Sequence, residues 1–270
     1  MALQPRGSWQ MPAGTPPPRE PMFNLPQPIM VLGGIMILIQ SLQSFVLSPI
    51  QQQDLLLWFS FLPPRYSAAG QGFAFPGGVF GDVWTFVSYA FLHGGWMHLI
   101  LNLVWMAAFA TVLLRRIGIL NFVIFFIVTA AAGALVHLFF HMNSSSPLVG
   151  VSAVLSGAMA ATARFAFVGG YGGFAALQGT HRYPAQSLKQ LWHNQQAMAF
   201  LGIWLVLNLV FGLTSMFGGG GIAWEAHLGG FIAGLLVLPY VDPYSRPPRG
   251  PKKPKKQEEK KRPEHLRIIK

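Results

Sequence analysis

Six apolar runs, each about the length of a bilayer-crossing helix, dominate this 270-residue chain and leave it few ways to fold. They lie near residues 28 to 48, 96 to 114, 119 to 140, 150 to 168, 196 to 217 and 224 to 241. In lipid the backbone must satisfy its own hydrogen bonds, so such a run is a helix. Nothing resembles the short alternating segments of a membrane barrel. The residues are 52% hydrophobic and 10% charged, too little polar content to coat a soluble domain. The expected fold is an all-α bundle of six transmembrane helices. Residues 49 to 95 are too polar and too interrupted by Pro and Gly to span. Their apolar stretches Leu55–Leu62 and Val83–Leu92 predict short helices lying at the interface.

The flanks are of another composition. Residues 1 to 27 are Pro-rich without an apolar run, which predicts a disordered cytoplasmic arm. The first apolar run is long enough to span and lacks a small-residue cleavage site close behind it, so a cleaved signal peptide is not expected. Residues 242 to 270 hold eleven Lys or Arg against four acids, supplying +7 of the formal +11. The high net charge therefore describes a basic, disordered cytoplasmic tail, expected to meet anionic lipid headgroups rather than nucleic acid. The chain has no cysteine, which excludes disulfides, thiolate metal sites and cysteine catalysis. Arg6, Arg19, Arg115, Arg116, Arg182 and Lys189 join the tail on one side of the membrane, while the opposite loops hold Arg65 alone. Lys and Arg stay on the cytoplasmic side, which puts both termini there, and this bias together with the lack of a transit-like arm makes a bacterial plasma membrane the expected location.

That orientation brings two residues to one depth. Ser152 follows Gly150 at the start of the fourth run, and His227 stands near the start of the sixth, both at the outer side. Polar and ionisable groups are costly in lipid and mark functional positions. A serine hydroxyl becomes a useful nucleophile when a neutral imidazole takes its proton. Ser152, in a first helical turn, also lies near unpaired backbone N–H groups that can stabilise an oxyanion. His98 and Asn102 share a helical face, four residues apart, and supply side-chain donors for the same purpose. Glu225 stands roughly 200° around the helix from His227, so no triad carboxylate is expected and the pair reads as a dyad. Ala226, Gly230 and Gly234 recur every fourth residue, as do Ser152, Ser156 and Ala160, and such stripes let membrane helices approach closely.

These residues resemble the motifs of the rhomboid family of intramembrane serine proteases. The matching pieces are His98 to Asn102 (HxxxN), Gly150 to Ala153 (GxSG, with alanine last) and Ala226 to Gly234 (AHxxGxxxG), in family order on the second, fourth and sixth runs. The resemblance covers residues 28 to 241. It implies a six-helix core with Ser152 as nucleophile and His227 as base. It also implies oxyanion donors from His98, Asn102 and the Ser152 backbone, with Gly150, Gly230 and Gly234 packing the site. The implied substrates are single-pass or polytopic membrane proteins cut near the outer face, admitted past the fifth helix and the Gly218–Gly221 loop. No metal or organic cofactor is implied. Ala153 and Ser156 depart from the pattern by an added methyl and a missing aromatic ring. The alternative is a catalytically inactive rhomboid-like protein that binds membrane helices, which would be expected to lack Ser152 or His227.

Other polar residues have plainer readings. His93 is expected to orient the long loop, and Asp54 and Asp82 to be solvated. His137 and His141, four apart, have metal-pair spacing without an evident third ligand, so interfacial hydrogen bonding is expected. A proton-relay transporter would require intramembrane carboxylates and an internal repeat, and neither is clear. Trp58, Trp84, Trp96 and Trp224 fit an interfacial aromatic belt.

Overall fold

A computed structural model of the chain describes residues 25–168, 184–216 and 223–244. Most of the arm and the tail, Arg182 and the Gly218–Gly221 run lie outside the described residues. Among the described residues the structure is helical, and the lone β-pairing is an isolated bridge between Phe61 and Leu148.

α1 spans Gln27–Phe45, with proline in its first turn, where a missing N–H costs nothing. The interfacial segment then folds as α2 (Pro49–Phe59), two short 3-10 turns, α3 (Gly78–Ser88) and a third 3-10 turn, Tyr89–Phe91. The Ser48 hydroxyl accepts from the Gln51 N–H while the Gln51 side chain accepts from the Ser48 N–H, a reciprocal cap that starts α2 sharply. α4 (Trp96–Trp105) runs through one π-helical turn, Met106–Ala110, into α5 (Thr111–His141). Gly118, at φ 77°, breaks the helix there, so the second and third expected spans meet at this residue. α6 (Ser152–Ala166), a short α7 (Leu188–Trp192), α8 (Gln195–Met216) and α9 (Trp224–Val241) follow.

Among the described residues three helices are both long and apolar enough to cross a membrane: Gln27–Phe45, the compound Trp96–His141, and Trp224–Val241. The fourth expected run is different. α6 has 15 residues, and each from Ala153 to Ala166 is buried. It is apolar because protein surrounds it. α5 and α9 enclose it, and these three helices form the most densely packed part of the fold.

The interfacial segment is anchored rather than loose. The fully buried Arg65 guanidinium donates to Asp82 Oδ1 at 3.2 Å, the Leu57 carbonyl at 2.7 Å and the Pro76 carbonyl at 3.0 Å. Asp82 is therefore an ion-pair partner, contrary to the solvated role expected, whereas Asp54 is exposed. Two backbone carbonyls and one carboxylate, from three separate stretches of chain, converge on one planar cation, a contact that sequence spacing does not encode. Tyr89 then ties this segment to the bundle by donating to the Ala130 carbonyl at 2.9 Å.

The opposite end is closed by two arginines. A proline inside a helix leaves a carbonyl one turn earlier without its N–H; in α9 Pro239 frees the Leu235 carbonyl, and Arg164 donates to it at 2.7 Å. Arg116 grips Asp242 in bidentate fashion, at 3.0 and 2.7 Å, with both side chains fully buried and Phe165 stacked against the guanidinium. Removing one partner of such a pair strands the other charge. Arg116→Met is therefore expected to cost about 3–5 kcal/mol, read by SDS titration of the purified protein. Adding Asp242→Leu should restore most of the loss.

Candidate active site

The sequence of α6 fixes where its first hydroxyl points. Gly150 adopts φ +110°, a left-handed conformation that side chains resist, and its N–H bonds to the Tyr89 carbonyl at 3.0 Å. The chain then turns and Ser152 becomes the first residue of α6, where helical N–H groups have no intrahelical acceptor. His227, in the first turn of α9, reaches across to it. Its Nε2 lies 2.8 Å from Ser152 Oγ.

The other face of the imidazole is held as well. His227 Nδ1 lies 2.7 Å from Asn208 Oδ1, and Asn208 Nδ2 donates to the Trp224 carbonyl at 3.1 Å. With the amide nitrogen committed to a carbonyl, Asn208 Oδ1 must accept. Nδ1 of His227 therefore carries the proton, and Nε2 presents a lone pair to the Ser152 hydroxyl. The order Asn208, His227, Ser152 is a directed chain of hydrogen bonds, of the kind that can make a hydroxyl more nucleophilic. Asn208 is the site residue that sequence reasoning misses. Its signal is an amide in the middle of an apolar run, which is costly without a specific partner.

His98 and Asn102 converge on Gly150, two residues before the serine. A Cβ built on Gly150 would lie 2.8 Å from His98 Nε2 and 3.7 Å from Asn102 Nδ2. Glycine is thus required at 150 both for its backbone angle and for the room His98 occupies. The Gly94 N–H points at His98 Nδ1 at 3.4 Å, which leaves the ring proton on Nε2, facing Gly150. Asn102 Nδ2 is buried with no hydrogen-bond partner among the described residues. A buried amide donor without an acceptor is expensive, and it is poised for an acceptor that arrives with a ligand. His93 packs its ring against His98 at 5.1 Å between centroids, and burial, with His98 beside it, pushes its pKa down to about 4. It is buried, neutral at physiological pH, and packs against the His98 ring.

The helix contacts correct the small-residue reading in one respect. Gly230 of α9 meets the backbone of Ala153, and Gly234 meets that of Gly157. The stripe of α6 that α9 crosses is therefore Ala153 and Gly157, one residue along from Ser152, Ser156 and Ala160. This offset frees Ser152 to face His227 instead of lying under the crossing. Ser156 uses its hydroxyl locally, donating to the Ser152 carbonyl at 2.8 Å. The Ala153 methyl is accommodated by α5, where Gly133 leaves the space: a Cβ there would lie 2.6 Å from it.

Glu225 does face away from His227, as its spacing predicts, but it is not idle. It is buried and lies 2.6 Å from His137 Nδ1 and 3.1 Å from His141 Nε2. The third group that the two histidines lacked in the sequence is this carboxylate, brought in from another helix.

The model of the Rhomboid domain matches residues 81–243, from within α3 past the end of α9. The chain belongs to the rhomboid family. All three motifs, His98 to Asn102, Gly150 to Ala153 and Ala226 to Gly234, fall inside the matched region. No curated protein matches the chain. Rhomboid membership fits the helical membrane bundle and makes this an integral membrane protein of an intramembrane protease-like family.

Proposed function

We propose that this rhomboid is an active intramembrane serine endopeptidase with Ser152 as nucleophile and His227 as general base. The observation that carries the reading is the 2.8 Å contact between Ser152 Oγ and a His227 Nε2 whose lone pair is fixed by Asn208. Attack of Oγ on a scissile carbonyl passes the hydroxyl proton to Nε2, forming an imidazolium that Asn208 steadies at Nδ1. The carbonyl oxygen becomes an oxyanion facing the Ser152 N–H, His98 Nε2–H and Asn102 Nδ2–H. Collapse breaks the peptide C–N bond as the imidazolium protonates the leaving amine. Water, deprotonated by the same imidazole, then hydrolyses the acyl-serine and regenerates the hydroxyl. None of these steps calls on a cofactor.

The substrates of this reading are transmembrane segments cut near the outer face. A membrane helix shields its carbonyls, so the cut falls where Gly or Pro weakens it. The six apolar runs support a six-span protein, here read as one of a bacterial plasma membrane, and the Lys and Arg distribution supports cytoplasmic termini with the dyad at the outer end. The arm, residues 1 to 27, and the basic tail, residues 242 to 270, flank the catalytic domain on the cytoplasmic side, with the tail attracted to anionic lipid.

The test is labelling of the purified protein with a fluorophosphonate probe, beside cleavage of a model transmembrane substrate. Labelling at Ser152 that requires His227 is expected. Failure of the probe to label a folded wild-type protein would instead identify the inactive, helix-binding member of the family. Asn208→Ala is expected to keep Ser152 in place but release the ring, lowering kcat about 100-fold with little change in KM. Asn208→Asp should recover part of that loss by again accepting from Nδ1.

A further inference from the structure

Outside the Ser152–His227 pair, one group of side chains among the described residues has the chemistry of a ligand site. His137 and His141 stand one turn apart near the end of α5, with ring centroids 4.8 Å apart. This i, i+4 spacing puts two imidazoles on one helical face, an arrangement suited to a transition metal. Glu225, from the first turn of α9, places Oε1 2.6 Å from His137 Nδ1 and 3.1 Å from His141 Nε2. One candidate ligand atom from each residue lies within 4.8 Å of the others. Ligand atoms around a tetrahedral zinc ion with bonds near 2.0–2.1 Å are about 3.3 Å apart, so a bound ion would replace the 2.6 Å Oε1–Nδ1 hydrogen bond, small side-chain rotations bringing the three atoms to that spacing.

Charge argues in the same direction. The Glu225 side chain is 2% exposed, and a buried carboxylate requires a compensating positive group. In the structure two imidazoles serve it, His137 by a hydrogen bond and His141 beside it, each a full counter-charge only when protonated. A divalent cation would balance the carboxylate and accept both imidazoles as neutral ligands. The His141 side chain is 42% exposed, which gives the ion a path from water and leaves a fourth position for solvent.

We propose that His137, His141 and Glu225 bind a first-row divalent transition metal, zinc foremost, which pins the end of α5 to the first turn of α9. The donor set of two imidazoles and a carboxylate is borderline in softness and suits zinc over magnesium or calcium. The pin stands two residues before His227, so it steadies the helix that carries the imidazole without touching the reacting atoms. Its occupancy is read without any proteolysis assay.

The experiment uses the full-length, untagged protein in detergent, stripped with a chelator and titrated with Zn²⁺ against a chromophoric indicator. One equivalent per chain is expected, together with a rise of several degrees in the thermal unfolding midpoint. Co²⁺ in place of Zn²⁺ should give the intense visible absorption of a tetrahedral site. His141→Gln, at the partly exposed ligand, should weaken binding at least about 100-fold, since loss of even an outer-shell partner costs 10- to 100-fold. His193→Gln, at an exposed histidine on another element, should leave binding unchanged. Absence of stoichiometric Zn²⁺ binding, or equal binding by wild type and His141→Gln, would overturn the proposal and leave Glu225 held by an imidazolium clamp.

Discussion

Ser152→Ala is expected to lower cleavage of a model transmembrane substrate by roughly 10⁶-fold, and to abolish fluorophosphonate labelling, with no loss of folded protein. Folding is spared because the hydroxyl's partner is His227 rather than the backbone, and alanine is a good first-turn helix residue. The size of the loss follows from what remains. His98 and Asn102 still present donors beside Gly150, so a water-mediated background, well above the uncatalysed rate, survives. His227→Ala alone should cost nearly as much, and the double variant little more than either single one, because the two groups act as one unit. Multiplicative losses in the double variant would show that Ser152 and His227 contribute separately, and the relay drawn from the 2.8 Å contact would fail.

Much of this arrangement is legible in the residues themselves. Hydrophobic length locates helices at all six apolar runs, because in a low-dielectric medium the backbone has few alternatives. The pairing of Ser152 with His227, and of His98 with Asn102, follows from where those residues begin or share helical faces. What the sequence hides is contact between helices. Asn208 lies 19 positions before His227 on another helix, and its distance of 2.7 Å from the ring depends on how α8 packs on α9. Arg65 looks isolated because its acceptors, the Leu57 and Pro76 carbonyls and Asp82, are scattered to either side of it in sequence and meet only in three dimensions. Glu225 illustrates both sides: spacing within α9 correctly turns it from His227, but its partners, His137 and His141, are set by the crossing of α5. The one-residue offset of the small stripe on α6 has the same origin, since periodicity gives a face without its rotation.

That rotation can be disturbed with one side chain. Gly230→Val is expected to lower the activity of the folded enzyme about 100-fold and, in addition, to destabilise the bundle by about 3 kcal/mol. A Cβ at Gly230 would lie 1.9 Å from the Ala153 carbonyl oxygen and 2.6 Å from its carbon, so the obstruction is backbone and cannot rotate aside. Non-bonded heavy atoms need about 3.5 Å, which forces α9 to withdraw from α6 by more than an ångström. Ala153 adjoins Ser152, and His227 stands about one turn before Gly230 on the same helix. The withdrawal is therefore delivered almost undiminished to the 2.8 Å Ser152–His227 contact. Gly202→Val provides the contrast, since a Cβ at Gly202 of α8 meets nothing within 4 Å. SDS titration separates the stability loss from the chemical one, and probe labelling per folded molecule measures the second alone. Wild-type labelling by Gly230→Val would mean that the close crossing of α6 and α9 does not set the geometry of the dyad, and that the glycine stripe serves packing only.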